Sequence, residues 1–130
     1  MADESGPEQP AEGCPIEATL EVIGGKWKTV ILYWLLRDRT LQFGDLRRHM
    51  PALSEPMLAR FLRELEAHEI IHRKVHRKVR IGVPPQVDYS LTEYGRTLGP
   101  ITELLAEWGA NHRNLVARRR KTYESRRFRR

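Results

Sequence analysis

Two short apolar stripes separated by a turn constrain this chain more than any other feature. Phe43, Leu46 and Met50 recur at helical spacing, and Pro51-Ala52-Leu53 interrupts them. Leu58, Phe61, Leu62 and Leu65 then resume the period on a second helix. Ser54 supplies an N-cap for that helix, and Glu55 and Pro56 suit its first turn, where acids and proline are favoured. The segment reads as helix, short turn, helix, with Ala59, Arg60 and Arg63 set away from the second apolar stripe.

The flanking sequence supplies the rest of a small domain. Ile16, Leu20 and Ile23 space a first helix, which Gly24-Gly25 breaks. Trp27, Val30, Ile31, Trp34 and Leu35 mark a second, and with Leu32 and Leu36 it is apolar nearly all round, as a central helix should be. Residues 40–43 are long enough only for a brief strand. After the helix-turn-helix, residues 70–79 alternate, imperfectly, between Ile71, Val75, Val79 and basic residues. Gly82 and Pro84-Pro85 break that arm, and Val87, Tyr89 and Leu91 alternate cleanly with Gln86, Asp88 and Ser90. This predicts a two-stranded hairpin with a basic first arm and a longer tip. Thr92 caps a last helix with Leu98, Ile101, Leu104, Leu105 and Trp108 as its apolar positions, kinked or restarted at Gly99-Pro100. The expected fold is mainly α with a small β-hairpin wing: a winged helix-turn-helix.

Composition agrees with one soluble domain. The chain has 130 residues, 40% hydrophobic and 31% charged, enough to bury a core without a disulfide. No stretch approaches the ~20 apolar residues of a membrane span. Residues 1–13 have neither a basic start nor an apolar run, so they do not read as a signal peptide. The single cysteine, Cys14, excludes an intrachain disulfide and a cysteine-based zinc site. The net charge of +6 points to an anionic partner, but it is unevenly placed. Residues 1–13 carry four acids and no base, and read as a disordered acidic arm. Residues 14–112 read as the nearly neutral folded domain, and residues 113–130, nine basic residues against Glu124, as a solvated basic tail.

Local charge matters more than the total. Arg73, Lys74, Arg77, Lys78 and Arg80 fall on the hairpin's first arm with no acid among them. Cations on an exposed strand also protect its edge. Beside a helix-turn-helix, however, such a wing can lie along phosphate while the second helix enters a major groove. On that reading Ser54, Pro56, Met57, Ala59, Arg60 and Arg63 form the recognition surface, with Arg60 reaching a guanine and Ala59 a thymine methyl. Lys26, Arg47 and Arg48 join the wing cations as backbone contacts, although each also reads as plain surface charge. Trp27, Trp34 and Trp108 sit on apolar stripes and read as core or interface residues. His68 and His72 are four apart, but the helix should end between them, so no metal is expected.

Several short motifs recur together in one known order. They are Cys14-Pro15-Ile16-Glu17, Gly24-Gly25-Lys26-Trp27-Lys28, Phe43-Gly44-Asp45-Leu46-Arg47-Arg48 and Leu62-Arg63-Glu64-Leu65-Glu66. The run from Val83 to Thr92, then Gly95-Arg96 and Trp108-Gly109, completes them. In these the chain resembles the HxlR-type winged-helix transcriptional regulators of bacteria, from Cys14 to about Gly109. The resemblance implies a homodimer that binds palindromic double-stranded operator DNA. It implies a dimer interface built by the first and last helices, here Ile16, Leu20, Leu98, Ile101, Leu105 and Trp108. It also implies that some members use a cysteine at the position of Cys14 to sense oxidants, quinones or other electrophiles, which makes Cys14 the candidate redox sensor. A repressor is the expected role, with an activator as the other sign of regulation, and the expected location is cytoplasmic, on the nucleoid. No cofactor is expected. The sequence departs from the family at Pro56, Ala59 and Phe61, where members often carry basic or hydroxyl side chains, so no operator sequence carries over.

Cys14 itself has opposing influences. A position at the start of the first helix favours a negatively charged sulfur, while Glu12 and Glu17 oppose it. With one cysteine per chain, oxidation gives an intersubunit bridge, a mixed disulfide or a sulfenic acid. A role for Cys14 as an enzymatic nucleophile finds no histidine nearby in sequence to act as base. An RNA-binding or protein-interaction winged helix is the alternative module, since the fold is reused for such work.

Overall fold

In the computed structural model, residues 12–77 and 80–128 are described. The helix α1 (Pro15–Ile23) starts on a proline and leads into α2 (Lys26–Arg37). Gly24 and Gly25 make that corner for two reasons: a Cβ on Gly24 would lie 2.2 Å from the Leu20 carbonyl oxygen, and Gly25 has φ 85°. The short strand β1 (Leu41–Gln42) precedes α3 (Phe43–His49), whose start is a capping box in which the Gln42 N–H donates to Asp45 Oδ2 at 2.9 Å. After the turn comes α4 (Glu55–Ala67), with the Ser54 hydroxyl accepting from the Met57 N–H.

The wing consists of β2 (Ile71–Val75) and β3 (Val87–Leu91). With β1 they form an antiparallel sheet in the order β1-β3-β2, in which Leu41 and Arg73 flank Tyr89 and Lys74 faces Asp88. The core gathers Ile31, Leu32 and Leu35 of α2, Leu46 of α3, and Leu58, Leu62 and Leu65 of α4, closed by Leu41, Tyr89 and Leu91 from the sheet. The apolar positions expected of α2, α3 and α4 are thus the ones that converge. The mainly helical winged helix-turn-helix is the observed fold.

Two segments differ in extent from the sequence reading. The first wing arm ends at Val75, so Arg73 and Lys74 lie on the strand while Arg77 and Arg80 lie in the loop. Lys78 and Val79 lie outside the described residues. The physical reason is in the returning chain: the His76 N–H still donates to the Gln86 carbonyl at 2.7 Å, but Pro84 and Pro85 have no N–H with which to extend the ladder. The last helix restarts, as Gly99-Pro100 suggested, into α5 (Glu93–Arg96) and α6 (Gly99–Arg127). Residues 113–127, expected as a solvated tail, continue α6 with side chains that, Ala117 apart, are exposed. Arginine, leucine, alanine and lysine all favour helix, and no proline or glycine interrupts them.

Candidate nucleic-acid interface

The surface that could meet a groove is the outer side of α4. Leu58, Leu62 and Leu65 are buried, which turns Pro56, Arg60 and Arg63 outward. Met57 is exposed beside them, and Ala59 is half-buried on the flank. Ser54 holds the helix start, while Pro56 lies in the first turn, where its missing N–H costs nothing. The turn before α4 is braced from the previous helix. Met50 and Leu53 are buried, the Leu53 N–H donates to the Met50 carbonyl at 3.0 Å, and the Arg47 guanidinium donates to the Leu53 carbonyl. Arg47 is therefore turned into the motif and holds the angle between its helices.

The other cations differ in how far they are engaged. Arg48 pairs with Asp45 on its own helix. Arg73 Nε lies 3.4 Å from Glu66 Oε1, which ties the wing to the flank of α4. Lys26 lies over the Trp27 ring at 4.5 Å. Arg63, Lys74, Arg77 and Arg80 have no ion-pair partner among the described residues. Arg60 is paired: its Nε lies 3.1 Å from Glu64 Oε2, while Lys28 Nζ approaches the other oxygen, Oε1, at 2.6 Å. Hydrogen bonds from Lys28 and then Arg60 hold the Glu64 carboxyl below its ordinary value. The sequence reading missed Glu64. Its spacing of four from Arg60 was a readable signal, but its bond to Lys28, 36 positions away, was not.

Where the wing strands give way to the loop, His76 Nε2 lies 2.5 Å from Asp88 Oδ2, and the Gln86 amide donates to Oδ1 at 3.1 Å. These two partners, His76 foremost, hold the Asp88 carboxyl below its ordinary value. Burial raises the Tyr89 phenol beside it.

A second surface is apolar. Ile16 and Leu20 on α1, and Ile101, Leu105 and Trp108 on α6, are all exposed. Leu98, expected among them, instead packs half-buried against the core. Trp108 stacks on His112 with ring centroids 4.3 Å apart. Cys14 is exposed at the N-cap of α1, and its carbonyl accepts from the Glu17 N–H at 2.9 Å. Among the described residues no group of acids, histidines and cysteine is placed to hold a metal ion, and no helix is long and apolar enough to cross a membrane.

The family profile described as HxlR-like helix-turn-helix matches residues 22–117, from the end of α1 into the second half of α6. The chain belongs to the HxlR-like helix-turn-helix family of transcriptional regulators. The HTH-type transcriptional regulator YybR of Bacillus subtilis (strain 168), itself uncharacterized, is 49% identical over 105 residues, which cover 81% of this chain and 80% of YybR. The solved structure of the redox regulator HypR in its reduced form superposes with a TM-score of 0.72 at 46% identity, over 80% of this chain and 98% of that one. Diamide-treated YodB of B. subtilis gives a TM-score of 0.60 at 30% identity, over 78% of this chain and 96% of YodB. As an HxlR-like regulator, the chain carries its helix-turn-helix on α3 and α4 and its wing on β2 and β3.

Proposed function

We propose that this HxlR-like chain is a sequence-specific repressor that binds palindromic DNA as a homodimer, with α4 in the major groove and the wing along the adjacent backbone. The observation that carries this reading is the pairing of Arg73 of β2 with Glu66 of α4, which ties the wing to the helix that turns Arg60 and Arg63 outward. Arg60 reads a base edge, Arg63, Lys74, Arg77 and Arg80 meet phosphate, and Ser54, Pro56, Met57 and Ala59 shape the approach. Lys26 and Arg48, at the starts of α2 and α3's outer side, extend the phosphate track.

Dimerisation places two such surfaces on one duplex. Its support is the five large apolar side chains Ile16, Leu20, Ile101, Leu105 and Trp108 that α1 and α6 leave exposed. Cys14 opens α1, the helix that carries Ile16 and Leu20. A bridge, mixed disulfide or sulfenic acid at Cys14 would therefore act at the contact that sets the spacing of the two α4 helices. HypR, a redox regulator, and YodB, solved after diamide treatment, lend support to that response.

The test begins with selection from random duplexes, followed by footprinting and mobility shift on the selected site. A protected palindrome, bound by a dimer and competed poorly by random DNA, is expected. Equal affinity for RNA and random DNA would instead favour the interaction-module reading. Peroxide or a quinone should change operator affinity in the parent but not in Cys14→Ser. The same response in both proteins would remove Cys14 from the mechanism.

A further inference from the structure

Glu64 is an acid on the flank of the helix proposed to enter a negatively charged groove, where an acid is expected to weaken binding. Its surroundings remove that penalty. Lys28 of α2 holds one carboxylate oxygen at 2.6 Å, and Arg60, one turn back along α4, holds the other through Nε at 3.1 Å. The group of three carries a single net positive charge. The Lys28 side chain is 12% exposed, so the carboxylate is anchored on a lysine held mostly out of solvent. The Arg60 side chain is 60% exposed, so its guanidinium extends past the pair into solvent.

We propose that Glu64 is a positioning residue for base recognition, fixing the Arg60 guanidinium so that its two terminal amino groups face outward as a preformed fork. The proposal rests on the reading of α4 as the recognition helix. An arginine is free to swing over several rotatable bonds, and ordering it at the moment of binding weakens recognition. Anchoring Nε leaves the terminal amino groups free, the pair that donates side by side to the O6 and N7 acceptors of guanine. Lys28 has two roles here: it fixes where the carboxylate lies, and it cancels the charge the carboxylate would otherwise set against phosphate. An exposed ion pair between neighbouring helical turns adds little to stability. Orientation is therefore the stronger reason for its presence.

The consequence is a pair of opposite shifts that a stability role would not produce. The probes are the selected operator, its single base-pair variants, and random-sequence DNA, measured with the full chain. Glu64→Gln leaves two uncompensated cations. It should bind random DNA more tightly, with a salt slope steeper by about one, while the operator-to-variant preference at Arg60's base pair falls about fivefold or more. Glu64→Asp keeps the charge but is too short to span both partners. It should leave random binding near the parent's and still lose preference. Lys28→Met should weaken random binding. Combining Arg60→Ala with Glu64→Gln should cost no more preference than Arg60→Ala alone. Circular dichroism and melting show whether each variant is folded, and Glu64→Asp serves if Glu64→Gln is not. If Arg60→Ala lowers preference but neither Glu64 variant does, positioning is overturned and base reading by Arg60 stands. If Arg60→Ala leaves preference unchanged, both are overturned.

Discussion

Glu69, just past the His68 C-cap of α4, has φ 60°, in the left-handed region that a side chain rarely adopts. The chain accepts this because the Ile70 N–H donates to the Leu65 carbonyl and the Glu69 N–H to the Glu66 carbonyl, both at 2.9 Å, the paired bonds of a Schellman motif. A non-glycine residue there costs about 1–2 kcal/mol, while a glycine returns about 0.5–1 kcal/mol of that through its freer unfolded chain. Glu69→Gly should therefore stabilise by up to about 1 kcal/mol, seen as a higher denaturation midpoint at unchanged slope. The next carbonyl, that of Ile70, is crowded in a different way. It accepts from the Thr92 N–H at 2.9 Å and the Thr92 hydroxyl at 3.1 Å, and a Cβ on Gly95 would lie 2.1 Å from it. Both sides are held backbone, so Gly95→Ala should destabilise by about 1–3 kcal/mol. A Gly95→Ala protein as stable as the parent would mean that α5 does not press on Ile70.

Among the elements, legibility followed the strength of a single period. The apolar stripes of α2, α3 and α4 were readable because each buries one face in the same core, and the Ser54 cap and Gly24-Gly25 corner were readable because the local backbone demands those residues. The wing was overextended because alternating basic and apolar residues fit a loop as well as a strand, and the prolines that end pairing sit on the opposite arm. The helix through residues 113–127 was masked by charge, which suggests solvation but does not oppose helix. At the candidate interface, the outward residues of α4 could be read from its stripe. The engagement of Arg47 with the turn and the reach of Lys28 to Glu64 could not, because they are contacts between elements. The wing makes its own prediction. Asp88 has a lowered carboxyl, so its contribution is present above the ordinary value of 3.8 and is lost as pH falls through the lower folded value. Asp88→Asn should melt below the parent at pH 7, with the difference narrowing as pH falls below 3.8. A difference that stays the same throughout an acid titration would show that the Asp88 carboxylate charge does not support the wing.

For the whole molecule, the placement of charge separates two kinds of attraction. The +6 total is concentrated at the end of the chain, where residues 118–130 hold eight cations against Glu124. The family profile stops at residue 117, so this excess lies beyond the shared domain while α6 continues through Arg127. Arg118, Arg119, Arg120 and Lys121 follow one another around the helix, so they point in all directions and define no single face. None has an ion-pair partner among the described residues. Charge distributed in this way attracts phosphate without reading a base, and each phosphate contact adds about 0.9 to the salt slope on duplex DNA. Deleting residues 118–130 should therefore weaken binding to operator and random DNA by the same factor and flatten both salt slopes together. The ratio between the two affinities should stay fixed, because Arg60, Glu64 and the wing are untouched. The decisive measurement is that ratio at two salt concentrations. A truncated protein that loses operator preference would place part of the specificity in the last turns of α6.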